Sequence, residues 1–409
     1  MRKENEIMGL IYEQISNNLD IFEIKNLSKK ERLRKIEKAV IEILEKEKTI
    51  VSEKQIKEIA DKVYDESFGY GPISEIMKND EITEIMINNY DQIYIEKNGM
   101  LQKLNLLFNS NNHVKNFIDK ILSPLGLRLD ESYPMVDARL NDGSRINAIV
   151  SPITFNEITV TIRKFRKSLK DINDLINLGT LNYEMAEFIK LSVINKANII
   201  VSGATSTGKT TLLNIVSNFI PLNERIVTIE DTLELNLNIE NLIRLESRPA
   251  NIEGKGEITI RDLVRNSLRM RPDRIVVGEI RGVEAIDVLQ AMNTGHKGSL
   301  TTIHANSPFD LVSRIETMLI MSGLNLNPSA ARRIIVSSID LIIFLERLSD
   351  GRRVVSKISE INSDEENITD RTDIEIKDIF LFDKNRYFNS YENTNDCFIR
   401  TNYKPKFLN

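Results

Sequence analysis

The chain has 409 residues, of which 41% are hydrophobic and 28% charged, with no tryptophan, a balance that fits soluble globular domains and excludes a disordered chain or an integral membrane protein. At roughly 100–200 residues per domain, this length calls for two folded domains plus terminal extensions. Lys+Arg 55 against Asp+Glu 60 leaves a net charge of -5, so no overall positive field recruits nucleic acid or an anionic membrane, and no direct nucleic-acid contact is expected.

The N-terminus has positive charge at Arg2 and Lys3 but no long apolar core and no small-residue cleavage site, which predicts no signal peptide. Residues 1–66 are dense in charge, carry Leu33, Ile36, Val40, Ile43 and Leu44 at helical spacing, and hold no glycine after Gly9. They read as a helical extension. Residues 67–166 change to short strands and turns, with a run at 93–96 before Asn98-Gly99 and a helical run at 113–122. Runs at 135–140 and 145–150 flank Asn141-Asp142-Gly143, the signal of a hairpin. This predicts a small α+β domain, followed by a linker over 167–180.

Over residues 181–348 helical patterns alternate with buried-strand runs at 197–202, 225–229 and 274–277, which predicts an α/β domain with a parallel sheet covered on both faces. The most apolar stretch, 334–345, is interrupted by Ser337, Ser338 and Asp340 and falls short of the ~20 residues of a spanning helix. After a turn at Ser349-Asp350-Gly351-Arg352, residues 349–409 form a polar C-terminal segment packed on the second domain. Its apolar pieces at 374–382 and 398–401 read as late strands, with a loose stretch at 362–371. The single cysteine, Cys397, rules out an internal disulfide framework and suits a reducing cytosol.

Four motifs carry chemistry. The first, around Gly203-Ala204-Thr205-Ser206-Thr207-Gly208-Lys209-Thr210-Thr211, satisfies G-x-x-x-x-G-K-[ST] between a buried strand and a helix start. Gly203 and Gly208 let backbone N–H groups approach a β-phosphate, and the helix N-terminus adds its positive end. Lys209 would neutralise the β- and γ-phosphates and the Thr210 hydroxyl would ligate Mg²⁺, so ATP and Mg²⁺ are the expected ligands. The second is a strand ending in Glu230-Asp231, with Glu234 beyond. Glu230 and Asp231 would sit beside the metal, the alternative being a solvated helix cap. The third, Gly278-Glu279 at the end of a run from Arg274, stands where an α/β sheet presents catalytic groups, so Glu279 would orient or deprotonate the attacking water. Otherwise it is an exposed strand-end carboxylate.

The fourth holds two of the three histidines, His296 and His304, within residues 295–306. A short strand at 299–303 would carry His304 to the sheet edge near the γ-phosphate, where a neutral imidazole can sense it. The alternative is a core or surface histidine. Zinc is disfavoured, because the spacing matches no finger or HExxH pattern and no cysteine lies nearby.

The order of these motifs resembles the type II/type IV secretion traffic ATPase superfamily, whose nucleotide domain is RecA-like. Residues 244–257, 261–274 and 290–296, with Asp130-Glu131-Ser132-Tyr133-Pro134-Met135 and Thr161-Ile162-Arg163 upstream, resemble the CpaF-type ATPase of the tight-adherence (Tad/Flp) pilus system. The resemblance runs from about residue 69 to 348. It implies a homohexameric cytoplasmic ring at the inner face of the membrane, turning over ATP to move pilin through an inner-membrane platform protein. It also implies that Arg145 and Arg163 close on the phosphates and that His304 links nucleotide state to motion. A type IV secretion or conjugation ATPase, and a nucleotide-controlled scaffold, stand as alternatives. Two positions depart from the pattern: Thr205-Ser206-Thr207 replaces the frequent Gly-Ser before the last glycine, and Lys297 stands where an acidic residue is common.

Overall fold

The computed structural model describes residues 27–46, 51–97, 99–140, 142–165, 171–248, 250, 255–361, 374–390 and 394–408. Residues 1–26 of the expected extension, residues 167–170 of the expected linker, Asn141 of the hairpin turn and the 362–371 stretch lie outside them. The chain divides into two compact units, residues 1–167 and 168–409.

In the first unit, helices Lys29–Lys46 and Glu53–Phe68 pack through Ile36, Val40, Ile43 and Leu44 on one and Ala60 and Val63 on the other. The second helix is fixed at its start by a capping box in which Ser52 and Gln55 satisfy each other's backbone N–H. Six antiparallel strands follow: β1 (Ile82–Asn89), β2 (Gln92–Lys97), β3 (Met100–Leu104), β4 (Met135–Arg139), β5 (Arg145–Val150) and β6 (Ile158–Arg163). They lie in the order β3-β2-β1-β6-β5-β4. Side chains alternate across the sheet, so Ile146, Ala148 and Val150 on β5 and Ile158, Val160 and Ile162 on β6 turn inward. They meet Phe117 and Ile118 of the helix Asn111–Leu122.

The second unit is an α/β domain on a nine-stranded sheet. Its strands are β7 (Ile199–Gly203), β8 (Ile226–Glu230), β9 (Leu242–Glu246), β10 (Arg274–Ile280), β11 (Leu300–His304), β12 (Leu341–Arg347), β13 (Arg353–Ile361), β14 (Ile376–Phe382) and β15 (Phe398–Arg400). The order is β15-β14-β13-β12-β7-β11-β10-β8-β9. From β9 to β12 neighbours run parallel, and β13 to β15 extend the sheet antiparallel.

Both faces of the parallel part are covered. Ile199 and Val201 of β7 join a core with helices Tyr183–Ile194 and Lys209–Ser217, while Ile200 joins the opposite core with helices Ala285–Asn293, Pro308–Ile320 and Pro328–Ser338. A central strand buried on both sides is mostly apolar, and each fully buried large apolar side chain contributes about 1.5–3 kcal/mol. The apolar stretch at 334–345 resolves into the end of the helix Pro328–Ser338 and the start of β12. Residues 171–180, read above as linker, carry the helix Ile172–Asn177, whose Leu175 is buried in the core of the second unit. No helix among the described residues is long and apolar enough to cross a membrane.

Candidate functional site

Parallel strands present their carboxyl ends at one sheet edge, and here that edge collects Gly203 from β7, Glu230 from β8, Glu279 from β10 and His304 from β11. Gly203 stands opposite His304 on one side and Leu345 on the other. The loop after β7 then turns sharply, with Ser206 at φ 60° and Gly208 at φ 98°, into the helix Lys209–Ser217. Gly203 admits no side chain, since a Cβ there would lie 2.4 Å from the Leu345 carbonyl oxygen and 2.8 Å from Thr207 Oγ1. Thr207 Oγ1 and Lys209 Nζ both donate to the Ala204 carbonyl, at 2.9 Å each. Thr210 and Thr211 follow in the first helical turn, partly exposed.

The acidic groups are held in different ways. Glu230 is 2% exposed; its Oε2 accepts from the N–H groups of Glu234 and Leu235 at 2.7 and 2.8 Å, which fixes the turn after β8. Among the described residues, its Oε1 is buried without a hydrogen-bond partner. Burial pushes the Glu230 carboxyl above its ordinary value, against the pull of those two N–H groups. The side chain crosses toward β10, where Gly278 leaves only 3.3 Å between its would-be Cβ and Glu230 Cγ. Gly278 is itself tied to β11 by Thr302 Oγ1, which donates to its carbonyl at 2.7 Å.

Glu279 is gripped by Arg281, whose Nε and Nη2 donate to Glu279 Oε2 at 2.9 and 2.6 Å. The same guanidinium reaches Asp231 Oδ2 at 3.4 Å, and Ser247 Oγ donates to Asp231 Oδ1 at 3.3 Å. His304 Nδ1 lies 3.4 Å from Thr205 Oγ1 in the loop. Burial, with the charges of Lys209 and Arg314, holds the imidazole below its ordinary value despite Glu279 and Asp310. The ring is therefore neutral at neutral pH. His296 lies in the loop that enters β11, before the start of the strand that His304 ends, and its carbonyl accepts from Ser299 Oγ at 2.7 Å.

The candidate residues of the second unit thus converge on one edge. Arg145 and Arg163 belong to the first unit, directly opposite each other on β5 and β6, with Arg139 of β4 opposite Arg145. They alternate with inward Ile146 and Ile162, so they project from the face away from that core.

Two arginines at the edge were not singled out from sequence. Arg281 follows Glu279 by two residues, just past the end of β10, and that short spacing was the available signal. Arg353, on β13, donates from Nε to the Ser206 carbonyl at 2.9 Å across 147 residues of sequence, and only the fold brings it there.

This arrangement, a glycine-bounded loop opening a helix beside a lysine, a strand-end carboxylate and a neutral histidine, can bind phosphate and position water. The family model for type II/IV secretion system proteins matches residues 66–375. A putative conjugal transfer protein of Mycobacterium tuberculosis is 32% identical over 297 residues, covering 71% of this chain and 84% of that protein. The type IV secretion system protein VirB11 of Bartonella henselae is 29% identical over 325 residues, covering 70% of this chain and 90% of that one. Among solved structures, the Legionella pneumophila ATPase DotB superposes with a TM-score of 0.52 at 25% identity, over 71% of this chain and 80% of that chain. The second unit has the RecA-like fold of these ATPases, and the chain belongs to the type II/IV secretion system protein family.

Proposed function

We propose that the chain is the ATP-hydrolysing motor subunit of a pilus-assembly or protein-secretion system, of the Tad/Flp type. The observation that carries the reading is the meeting, at one sheet edge, of the phosphate loop with Lys209 and the strand-end carboxylate Glu279. Lys209, which now donates to the Ala204 carbonyl, turns onto the β- and γ-phosphates when ATP enters, and the loop N–H groups and helix N-terminus take the β-phosphate. Glu279 orients the attacking water and accepts its proton, with Arg281 holding the carboxylate in place. Neutral His304 hydrogen-bonds toward the γ-phosphate and passes its state back through Thr205.

The oxygen set of Thr210, Glu230 and Asp231 fits Mg²⁺, a hard cation commonly held by one or two carboxylates together with substrate phosphates. Among the described residues, Glu230 Oε1 is buried without a hydrogen-bond partner and has acceptor capacity to spare. Held there, the ion would supply positive charge against the phosphates of ATP. Arg145 and Arg163 are proposed to stabilise charge that develops in the transition state. The working assembly is a homohexamer, cytoplasmic and peripheral at the inner face of the membrane, coupled to an inner-membrane platform protein and through it to pilin.

A type IV secretion or conjugation motor is the second reading, and the conjugal transfer and VirB11 relatives favour it. Co-purification with the platform protein of a pilus system, or with mating-channel components, separates the two. Phosphate release by wild type, Lys209→Ala and Glu279→Gln separates both from a scaffold with negligible turnover.

A further inference from the structure

Arg353 is the residue whose position the proposed chemistry leaves unexplained. It opens β13, immediately after the turn closed by Gly351 N–H to the Leu348 carbonyl at 3.0 Å and Leu348 N–H to the Arg352 carbonyl at 2.8 Å. That register sets Arg353 opposite Arg347 on β12. From there its Nε donates to the Ser206 carbonyl at 2.9 Å, and its Cδ lies 3.7 Å from where a Cβ on Gly208 would stand. The side chain therefore lies against the phosphate loop at its two left-handed residues, Ser206 and Gly208.

The hydrogen bond falls on the peptide plane that matters. A trans peptide points its carbonyl and the following N–H in opposite directions. Anchoring the Ser206 carbonyl on one side fixes the Thr207 N–H on the other, within the loop whose N–H groups make the cradle. Ser206 also holds a φ of 60° that costs a side-chain-bearing residue about 1–2 kcal/mol, so its conformation needs an outside tether. We infer that Arg353 is a positioning residue for nucleotide binding, locking the Ser206–Thr207 peptide of the phosphate loop from the β12–β13 hairpin.

The tether also ties the loop to the C-terminal elements. The turn before Arg353 is braced by Tyr387 Oη, which donates to Asp350 Oδ2 at 2.7 Å, and by Arg352 Nη1, which donates to Thr394 Oγ1 at 3.0 Å. Residues 349–409 thereby gain a role at the site, beyond extending the sheet.

The inference rests on the reading of this loop as a nucleotide site, and the test separates the two. Binding of a fluorescent ADP analogue is measured for wild type, Arg353→Met, Arg353→Lys and Lys209→Ala, with thermal unfolding of each protein without nucleotide. Methionine keeps the stem and loses the donor, so its Kd should rise roughly tenfold, the loss of one charge-assisted hydrogen bond. Its unfolding temperature without nucleotide should stay close to wild type. Lysine can still donate to the Ser206 carbonyl and should bind within about threefold of wild type. Wild-type affinity in Arg353→Met overturns the inference, as does an Arg353→Lys variant as weak as expected for methionine. Should the methionine protein fail to fold, Arg353→Gln takes its place, with the same expected rise in Kd and the same overturning result. Loss of binding in Lys209→Ala with none in Arg353→Met removes only this inference, whereas full binding in Lys209→Ala removes the nucleotide site itself.

Discussion

Replacing Arg274 by methionine should cost the fold about 3 kcal/mol. Arg274 begins β10 and is 0% exposed. Its Nε and Nη2 donate to Glu224 Oε2 and Oε1 at 2.6 and 2.8 Å, and Nη1 donates to the Val193 carbonyl at 2.5 Å. The guanidinium also lies against Gly298, where a Cβ would come within 2.7 Å of Nη1. Methionine fills the stem's volume but leaves Glu224, whose side chain is 11% exposed, without its main counter-ion. Breaking a buried pair from one side costs about 3–5 kcal/mol. Lys196, 46% exposed and 3.8 Å from Glu224 Oε2, can swing closer and compensate in part, which sets the value at the low end. Glu224→Met strands a fully buried cation and should cost more. The double variant, an apolar pair, should lose far less than the sum, the difference being the coupling of the two charges. Urea unfolding followed by circular dichroism reads all three. Single losses below about 1 kcal/mol, or a double variant equal to the sum, would refute the argument.

Two further outcomes follow from the site. Arg281→Ala frees the Glu279 carboxylate from the two hydrogen bonds that Arg281 donates to its Oε2. It should lower kcat about tenfold with KM for ATP within about twofold, read by steady-state phosphate release, and an unchanged kcat would contradict the positioning role. His304 is held below its ordinary value of 6.5 by burial and by Lys209 and Arg314. Its folded pKa is thus below the unfolded one, the unfolded chain binds more protons as pH falls through about 6.5, and stability declines there. His304→Gln should remove that part of the pH dependence, and a ring titration by NMR with a midpoint above 6.5 would contradict it.

How much of this was legible in the sequence depends on how far apart the interacting residues lie. The buried strands β7, β8 and β10 announce themselves as short, mostly apolar runs that reach Gly203, Glu230 and Glu279, and β11 as a short run before His304, so the site edge could be assembled from local pattern. β1 and β3 were harder. Only one face of β1 is buried, and its Ile-Thr-Glu-Ile start breaks the alternation at a register shift between Ile82 and Glu84. β3 is an edge strand whose Met100 and Leu101 are exposed, so its apolar residues mark no core. Glu230 shows a different limit: a strand-end acid reads as a ligand, yet one of its oxygens is committed to the turn at Glu234 and Leu235. The turn at Ser349-Asp350-Gly351-Arg352 that starts β13 is a local signal, but Arg353 reaches Ser206 only because β12 pairs in parallel with β7, a pairing no local pattern encodes.

The most direct test of the central claim is phosphate release from ATP by the purified full chain, wild type against Glu279→Gln and Lys209→Ala. Wild type should turn over ATP, Glu279→Gln should lose at least about a hundredfold in kcat with ATP still bound, and Lys209→Ala should lose binding. Undiminished turnover in either variant would place the chemistry elsewhere than at this sheet edge.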